Sequence, residues 1–346
     1  MLHRKHAISA GLVAGLSAFV LVACATGSPP AEPDALRERA LVYFEPLPDA
    51  APSPDNPITE AKVALGRRLY HDPQLSRLGN VSCNSCHDVA TYGVDNLPVS
   101  PGDGGQLGAR NSPSVFNAAL HVAQFWDGRA ADVEEQAGMP VLNPVEMAIP
   151  DEAFLLDRLA GTPEYPEAFA AAFPGEHPAL TYANIGRALG AFERTLLTPS
   201  RFDAWLAGDR NAVLTAEERA GLERFLDLSC TSCHNGSTVG ARFFRKFGLN
   251  EPYWTRTGSA APDEGRYVQT GDPEDRYVFK VASLRNVAET GPYFHDGSVA
   301  GLREAVEVMA ELQVGTPLSD TEVDPLVAFL RTLTGEVPTA ARRTSG

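Results

Sequence analysis

Long apolar runs, alternating stretches and basic charge are all in short supply in this chain, and each shortage closes off a class of protein. The longest apolar run, Ala7 to Val22, falls short of the roughly 20 residues that a membrane-crossing helix needs. No stretch alternates apolar and polar residues for long enough to argue for a sheet, which leaves a mainly α fold. Lys and Arg number 29 against 44 Asp and Glu, a formal net charge of −15. A surface of that sign repels a phosphate backbone, so nucleic acid is excluded as the natural partner. Methionine and cysteine are scarce too, with four and five copies in 346 residues. Scarcity makes the position of each one informative.

Four of the five cysteines form two copies of Cys-x-x-Cys-His, Cys83-Asn84-Ser85-Cys86-His87 and Cys230-Thr231-Ser232-Cys233-His234. Two thiols one turn apart can form thioethers with both vinyl groups of a haem, and the adjacent imidazole then reaches the iron. This pattern points to two covalently bound haem c groups, with His87 and His234 as proximal ligands. The competing readings are a disulfide within each pair, or one four-thiolate zinc site whose histidines are incidental.

The fifth cysteine closes the N-terminal segment. Arg4 and Lys5 precede the apolar run, which ends in Leu21-Val22-Ala23-Cys24. Residues 1–23 read as a lipoprotein signal peptide, with Cys24 the acylated first residue of the mature chain. A plain secretory signal is the alternative, and either one takes the chain out of the cytoplasm, which suits covalent c-type haem because its attachment occurs outside the cytoplasmic membrane. Residues 24–57 are rich in Pro, Ala and acidic side chains and read as a tether, mobile for most of its length.

The remainder suits two domains of roughly 140 residues each. An internal repeat supports the division. Val63, Leu65, Leu69 and Tyr70 form a helical pattern before the first motif, and Leu222, Phe225 and Leu226 do so before the second. Thr215 with Glu218 makes a capping box. Between the motifs, Ile185, Leu189, Phe192 and Leu196 lie on one stripe that ends at Thr198-Pro199-Ser200. Val323, Leu326, Val327, Leu330 and Leu333 form another near the C-terminus. The expected architecture is two cytochrome c-type haem domains packed against each other, at 58–198 and 199–340. Of the methionines, only Met309 follows the second motif, so any thioether ligand to that haem is Met309. His295 is the rival ligand, and Met309 as core filler is the competing reading.

Further strings extend the pattern: Asn111-Ser112-Pro113, Gln124-Phe125-Trp126-Asp127-Gly128-Arg129, Asn143-Pro144-Val145-Glu146-Met147, Leu284-Arg285-Asn286-Val287 and Pro292-Tyr293-Phe294-His295. With the first haem motif they make the chain resemble the bacterial diheme cytochrome c peroxidases from about Leu41 to Glu336. The resemblance implies a peroxidatic first haem and an electron-transfer second haem with Met309 as its sixth ligand. It also implies Trp126 between the haems, and Glu146 as the distal acid-base carboxylate with Gln136 and Phe125 in its pocket. A calcium ion at the domain interface would be held by the Asn111 side chain and the carbonyls of Thr290 and Pro292, oxygen donors that suit a hard cation. The implied reaction is reduction of hydrogen peroxide to water. The electron donor would be a small cytochrome c or a cupredoxin, which the acidic surface suits. The setting would be periplasmic, with the lipid more expectedly in the outer membrane and a homodimer the family's usual state. A diheme electron relay and a protein-oxidising diheme enzyme, as in methylamine utilisation, are the alternatives. The latter resemble this chain but use tyrosine where it has Met309.

Taken without the resemblance, these residues have ordinary readings: Trp126 a buried aromatic, Glu146 an exposed loop carboxylate, Asn111 a turn residue. His71 and His121 read as structural. One departure from the family pattern stands out. Resting members carry a histidine sixteen positions beyond the first proximal ligand, where it caps the iron; here the position is Asp103, in Gly102-Asp103-Gly104-Gly105. A carboxylate is a poorer haem ligand than imidazole, so the first haem is expected to be open, and high-spin, when oxidised.

Overall fold

Two helices that each lead into a haem motif are pressed onto a partner helix through a glycine. The computed structural model describes residues 1–2, 34–259 and 261–341. The signal run, Cys24 and the tether as far as residue 33 lie outside the described residues. Thirteen α-helices occur in order among the described residues: α1 Ala35–Leu41, α2 Glu60–Tyr70, α3 Cys83–Cys86, α4 Val133–Leu142, α5 Glu152–Ala160, α6 Glu164–Ala172, α7 Tyr182–Glu193, α8 Arg201–Leu206, α9 Ala216–Asp227, α10 Trp254–Thr257, α11 Tyr267–Thr270, α12 Leu302–Met309 and α13 Asp320–Arg331. One antiparallel ribbon pairs β1 Phe244–Lys246 with β2 Val278–Lys280, Arg245 opposite Phe279. Three-residue strands are too short to display the alternation from which a sheet is read.

Helix α2 lies on α7, and a Cβ at Gly66 would strike the Ala188 carbonyl and then Phe192. Helix α9 lies on α13, and a Cβ at Gly221 would strike the Pro325 carbonyl and then Phe329. In each pair a glycine meets a carbonyl, with a phenylalanine one turn further on. The repeat legible in the apolar stripes is therefore also a repeat of backbone contact.

Each pair organises its own core. Leu65, Leu69, Tyr70, Ile185, Leu189, Phe192 and Leu196 are buried in the first. Phe202, Leu222, Phe225, Leu326, Phe329, Leu330 and Leu333 are buried in the second. Burial of a side chain of this size is worth about 1.5–3 kcal/mol. A third, smaller cluster joins Phe247, Tyr253, Phe279, Val308 and Leu312, with Trp126 and Met309 against it. Helix starts agree with the sequence: Thr59 accepts from Lys62 N–H at 3.3 Å, and Thr215 and Glu218 complete their capping box. Helix α7 ends at Glu193, earlier than the stripe through Leu196 suggests, because Leu196 is buried from the turn that comes after it.

The expected tether ends sooner than residue 57. Leu36, Ala40 and Phe44 enter the second core, where Phe44 meets Phe202 edge-on at 5.5 Å. The Leu47 N–H donates to Asp203 at 2.7 Å, and Asn56 bridges Lys62 and Glu134. Two short apolar turns and a few backbone donors suffice for docking, and composition records neither. At the other end Val337 and Ala341 pack on the first core. Each chain end thus crosses to the core that the opposite half of the sequence builds.

Buried ion pairs fix the junctions. Arg285 holds Asp203 through two hydrogen bonds, at 2.5 and 2.7 Å, with both side chains almost wholly buried. Arg194 holds Glu134 likewise, both bonds at 2.7 Å. Replacing Arg285 by Met leaves Asp203 buried and unpaired, which is expected to cost about 3–5 kcal/mol in denaturant unfolding; Asp203→Leu in the same chain should recover much of it.

Glu193, 5 % exposed, sits beside the Arg194–Glu134 pair. Burial, then the charge of Glu134, push its carboxyl up to about 8 against the pull of Arg194. Such an acid keeps its proton in the folded state where the unfolded chain, near its ordinary 4.5, has lost it. Stability contributed there falls as pH rises from about 4.5 to about 8 and is level above. The Glu193→Gln variant should lack this fall when unfolding is measured below and above that window.

Candidate active site

The first haem motif is one helical turn. Ser82 caps α3, which puts the Cys83 and Cys86 sulfurs on one face, and His87 N–H donates to Cys83 O at 2.9 Å. Tyr70, fully buried, donates its hydroxyl to the His87 carbonyl at 2.6 Å and so ties the turn to α2. The second motif repeats this as a 3-10 turn at Cys230–Ser232, with His234 N–H on Cys230 O at 2.9 Å. Both turns offer the i, i+3 thiols and adjacent imidazole that the sequence predicts.

Whether these turns suit haem c is testable on the side chains themselves, whose free thiols stand for the sulfurs that thioethers would hold. His87 Nδ1 and His234 Nδ1 are buried without a well-formed hydrogen bond. The carbonyls of Gly93 and Pro113 lie beside the first ring, and those of Val239 and Ala282 beside the second. That leaves each ring's other nitrogen for a metal, the usual arrangement of a haem histidine. Gly240, at φ +130, makes room: a Cβ there would strike the Ala282 carbonyl and stand 3.2 Å from His234 Nδ1. Burial lowers the pKa of both imidazoles, His234 to about 4, which keeps them neutral and able to ligate. The residues fit the group. Zinc fits poorly: burial pushes the Cys83 thiol up to about 12 and Cys230 up to about 11, and the pairs belong to separate cores. Among the described residues no three His, Cys, Asp or Glu side chains converge as a metal site, and the four thiols are unpaired.

Between the motifs runs the segment that carries Trp126. Phe125 and Gly128 take positive φ, 65° and 72°, on either side of the Trp126–Asp127 step. The indole Nε1 donates to Asn111 O at 2.9 Å, and the Trp126 carbonyl accepts from Lys280 N–H on β2 at 2.7 Å. Arg110 bridges Asp127, at 2.7 Å, and Asp263, at 2.6 Å. Asp127 also holds Arg129, whose guanidinium stacks on the Phe125 ring at 3.4 Å. The half-buried Trp126 is therefore held by its main chain, its indole and its neighbours.

Glu146 is half-buried rather than an exposed loop acid. Asn143 donates to its Oε1 at 2.8 Å. Burial raises its pKa, with the Arg129 charge and the Asn143 bond pulling the other way. Gln136 lies half-buried on α4, the helix that leads to Asn143. Asp103 is on the facing loop: its N–H donates to the Glu146 carbonyl at 2.7 Å, where Gly102 leaves no room for a Cβ. The Asp103 carboxylate, 2 % exposed, accepts from Leu78 N–H at 2.8 Å and lies 3.6 Å from Arg77. One carboxylate oxygen is thus bound to the segment after α2, while Oδ2 is buried without a hydrogen bond.

The residues expected around calcium share one neighbourhood. Asn111 N–H donates to His295 O at 2.7 Å, and Asn96 reaches the carbonyls of Glu289 and Gly291. The Asn111 amide nitrogen is used on Leu97 and Pro98, which turns its side-chain oxygen the other way. Thr290 and Pro292 belong to the strip so drawn in. Met309 closes α12 and packs, with Trp126, against the Phe247–Tyr253 cluster. His295, the rival ligand, stacks on Phe279 at 4.2 Å and lies 6.4 Å from the Trp126 ring, its Nε2 buried without a partner. His71 approaches the Ala341 carbonyl at 3.4 Å, a structural contact.

Sequence reasoning passed over Arg110, Asp127, Arg129, Asp263 and Lys280. The only signal for Lys280 was a charge inside the apolar run Val278-Phe279-Lys280-Val281. For the Arg110 bridge there was none, since Asp263 lies 153 positions from Arg110.

Comparison with known proteins agrees with this geometry. The profile of a family described as di-haem cytochrome c peroxidase matches residues 60–211. The chain is 44% identical over 317 residues to a cytochrome c551 peroxidase of Pseudomonas aeruginosa, covering 90% of each. It is 36% identical to the methylamine utilization protein MauG of Paracoccus denitrificans, over 80% of this chain and 89% of that one. Among solved structures it is similar to a MauG-like protein associated with microbial copper homeostasis, at a TM-score of 0.76 and 32% identity, covering 85% and 95% of the two chains.

Proposed function

This chain belongs to the di-haem cytochrome c peroxidase family, and on that premise we propose that it reduces hydrogen peroxide to water at the haem held by Cys83, Cys86 and His87. Cys230, Cys233 and His234, with Met309, would hold the second haem, which would supply the electrons. The observation that carries this reading is the Trp126 segment, bound through Lys280 N–H on one side and Asn111 on the other. It ties a loop of the first half to β2 in the second and packs the Trp126 ring against the Phe247–Tyr253 cluster, which supports an aromatic link between the halves that carry the two motifs.

The iron of the first haem, when bound, supplies the redox chemistry. The protein's part is to move a proton. Glu146 takes the proton from the inner peroxide oxygen and returns it to the outer one, so that water departs rather than hydroxide. Partial burial raises its pKa, which favours giving the proton back, while Asn143 fixes the carboxyl and Arg129 keeps it ionisable. Gln136 and Phe125 shape the same pocket, Phe125 pinned under Arg129. Trp126 is the electron path. The Asn111 side chain and the carbonyls of Thr290 and Pro292 hold calcium where the halves meet. The two compact haem domains correspond to the two larger cores.

The net charge of −15 suits a small basic cytochrome c or cupredoxin as donor, steered to the second haem. Export to the periplasm and a lipid on Cys24 are proposed from the signal sequence alone. Mass spectrometry of the mature protein tests them.

The Glu146→Gln variant is expected to lose ~10²- to 10⁴-fold in peroxide turnover with haem content and oxidised spectrum intact. Unchanged turnover in steady-state assay would remove Glu146 from the reaction. With Asp103 engaged by Leu78, the fully oxidised holoprotein should show a high-spin ferric EPR signal and react with peroxide without a reductive lag. Asp103→His should shift that signal to low-spin. A low-spin spectrum in the natural protein would mean that another group caps the iron.

A further inference from the structure

A buried lysine beside Trp126 lacks an anionic partner. Lys280 is 8 % exposed. Its ammonium donates to the Ala123 carbonyl at 2.8 Å and stands 3.3 Å from His121 Nδ1. No carboxylate among the described residues pairs with it. Asp127 acts on it from a distance, and Asp127 is already held by Arg110 and Arg129.

The contact with His121 sets a tautomer. An ammonium only donates, so Nδ1 accepts and the proton sits on Nε2. That Nε2–H is buried and makes no hydrogen bond. The Lys280 ammonium keeps a spare N–H, and the His121 Nε2–H leaves the far edge of the ring without a partner, so two donors lie out of water, each able to bind a carboxylate oxygen. Burial pushes the lysine down to about 7, and burial with the lysine's charge pushes His121 well below its ordinary value. Both shifts are what an anion would reverse.

The fold indicates which carboxylate arrives. Lys280 N–H holds the Trp126 carbonyl, and two residues on, the Ala282 carbonyl lies against the His234 ring. Val281 O accepts from Ala241 N–H, and Ala241 O accepts from Val122 N–H, next to His121. The pair therefore sits on the strip of chain that joins Trp126 to the second haem turn, and a haem brings two propionates of its own.

We propose that Lys280, its ammonium oriented by His121 Nδ1 and the Ala123 carbonyl, receives a propionate of the haem held by Cys230, Cys233 and His234. This rests on the two-haem reading. Neutralising that carboxylate beside the haem favours the reduced state, so Lys280 sets the potential of the electron-entry site.

The test uses the full holoprotein. Pyridine haemochrome analysis first counts haems; fewer than two per chain would defeat the two-haem premise, separately from the propionate assignment. In Lys280→Met, the propionate-bending bands of the second haem should shift in resonance Raman. Its reduction equilibrium should fall by about tenfold, which is 59 mV for one electron, with the first haem unmoved. Lys280→Arg should keep most of the potential. If Lys280→Met fails to hold both haems, His121→Leu is judged by the same bands and midpoint, with a smaller shift in the same direction. Unchanged bands and midpoint, or a shift confined to the first haem, overturns the proposal.

Discussion

The hydrogen bond from Lys280 N–H to the Trp126 carbonyl is the constraint on which the rest of the site depends. It ties a loop of the first half to a strand of the second at the residue whose ring lies against the shared aromatic cluster. The positive φ at Phe125 and Gly128 makes the loop turn sharply enough for that carbonyl to face β2. Arg110 then locks the turn from the side by pairing Asp127 with Asp263. Moving electrons between two bound groups requires a fixed separation, and several interactions of different kinds hold this residue at once.

Energetically, two larger cores and a few buried ion pairs share the work. The Arg285–Asp203 pair joins α8, the loop before it and the entering N-terminal segment, and its value lies in what its loss would leave unpaired. Surface pairs such as Arg303 with Asp320 and Asp324 contribute little beside it, since solvent screens them. The chain ends that cross between cores add a second coupling. Phe44 and Ala341 each bury their side chain in the core the other half builds. The two halves are thereby coupled by packing as well as by hydrogen bonds.

On the proposed peroxidatic side, two loops are joined by the bond between Asp103 N–H and the Glu146 carbonyl. The same loop pair thus carries both the half-buried Glu146 and Asp103, the position at which the sequence resemblance led one to expect a histidine. Asp103 binds Leu78 N–H through one carboxylate oxygen and lies near Arg77, which ties its loop to the segment after α2. A glycine at 102 is required because the Val145 carbonyl occupies the space of a Cβ. The positions of Asp103 and Glu146 then trace to one local packing arrangement.

Patterns with a short period were legible in the chain itself. The two Cys-x-x-Cys-His turns, the apolar stripes of α2, α7, α9 and α13, and the capping box at Thr215 depend on neighbours within a turn or two, and spacing encodes them. Trp126, Glu146 and Asn111 were found through strings resembling a family; their own chemistry left each an ordinary reading. What tertiary structure alone decided lies between distant segments. Examples are the docking of residues 36–47, the Arg110–Asp127–Asp263 bridge, the binding of Asp103 to Leu78, and the burial of Lys280 against His121. Hydrogen-bond partners 20 to 160 positions apart leave no periodicity, and burial of a charge depends on what the fold brings over it. The sequence by itself thus determined the two haem-motif turns and the helices, while the tertiary structure decided which charges lie buried around them, because desolvation belongs to the assembled interior and not to any one segment.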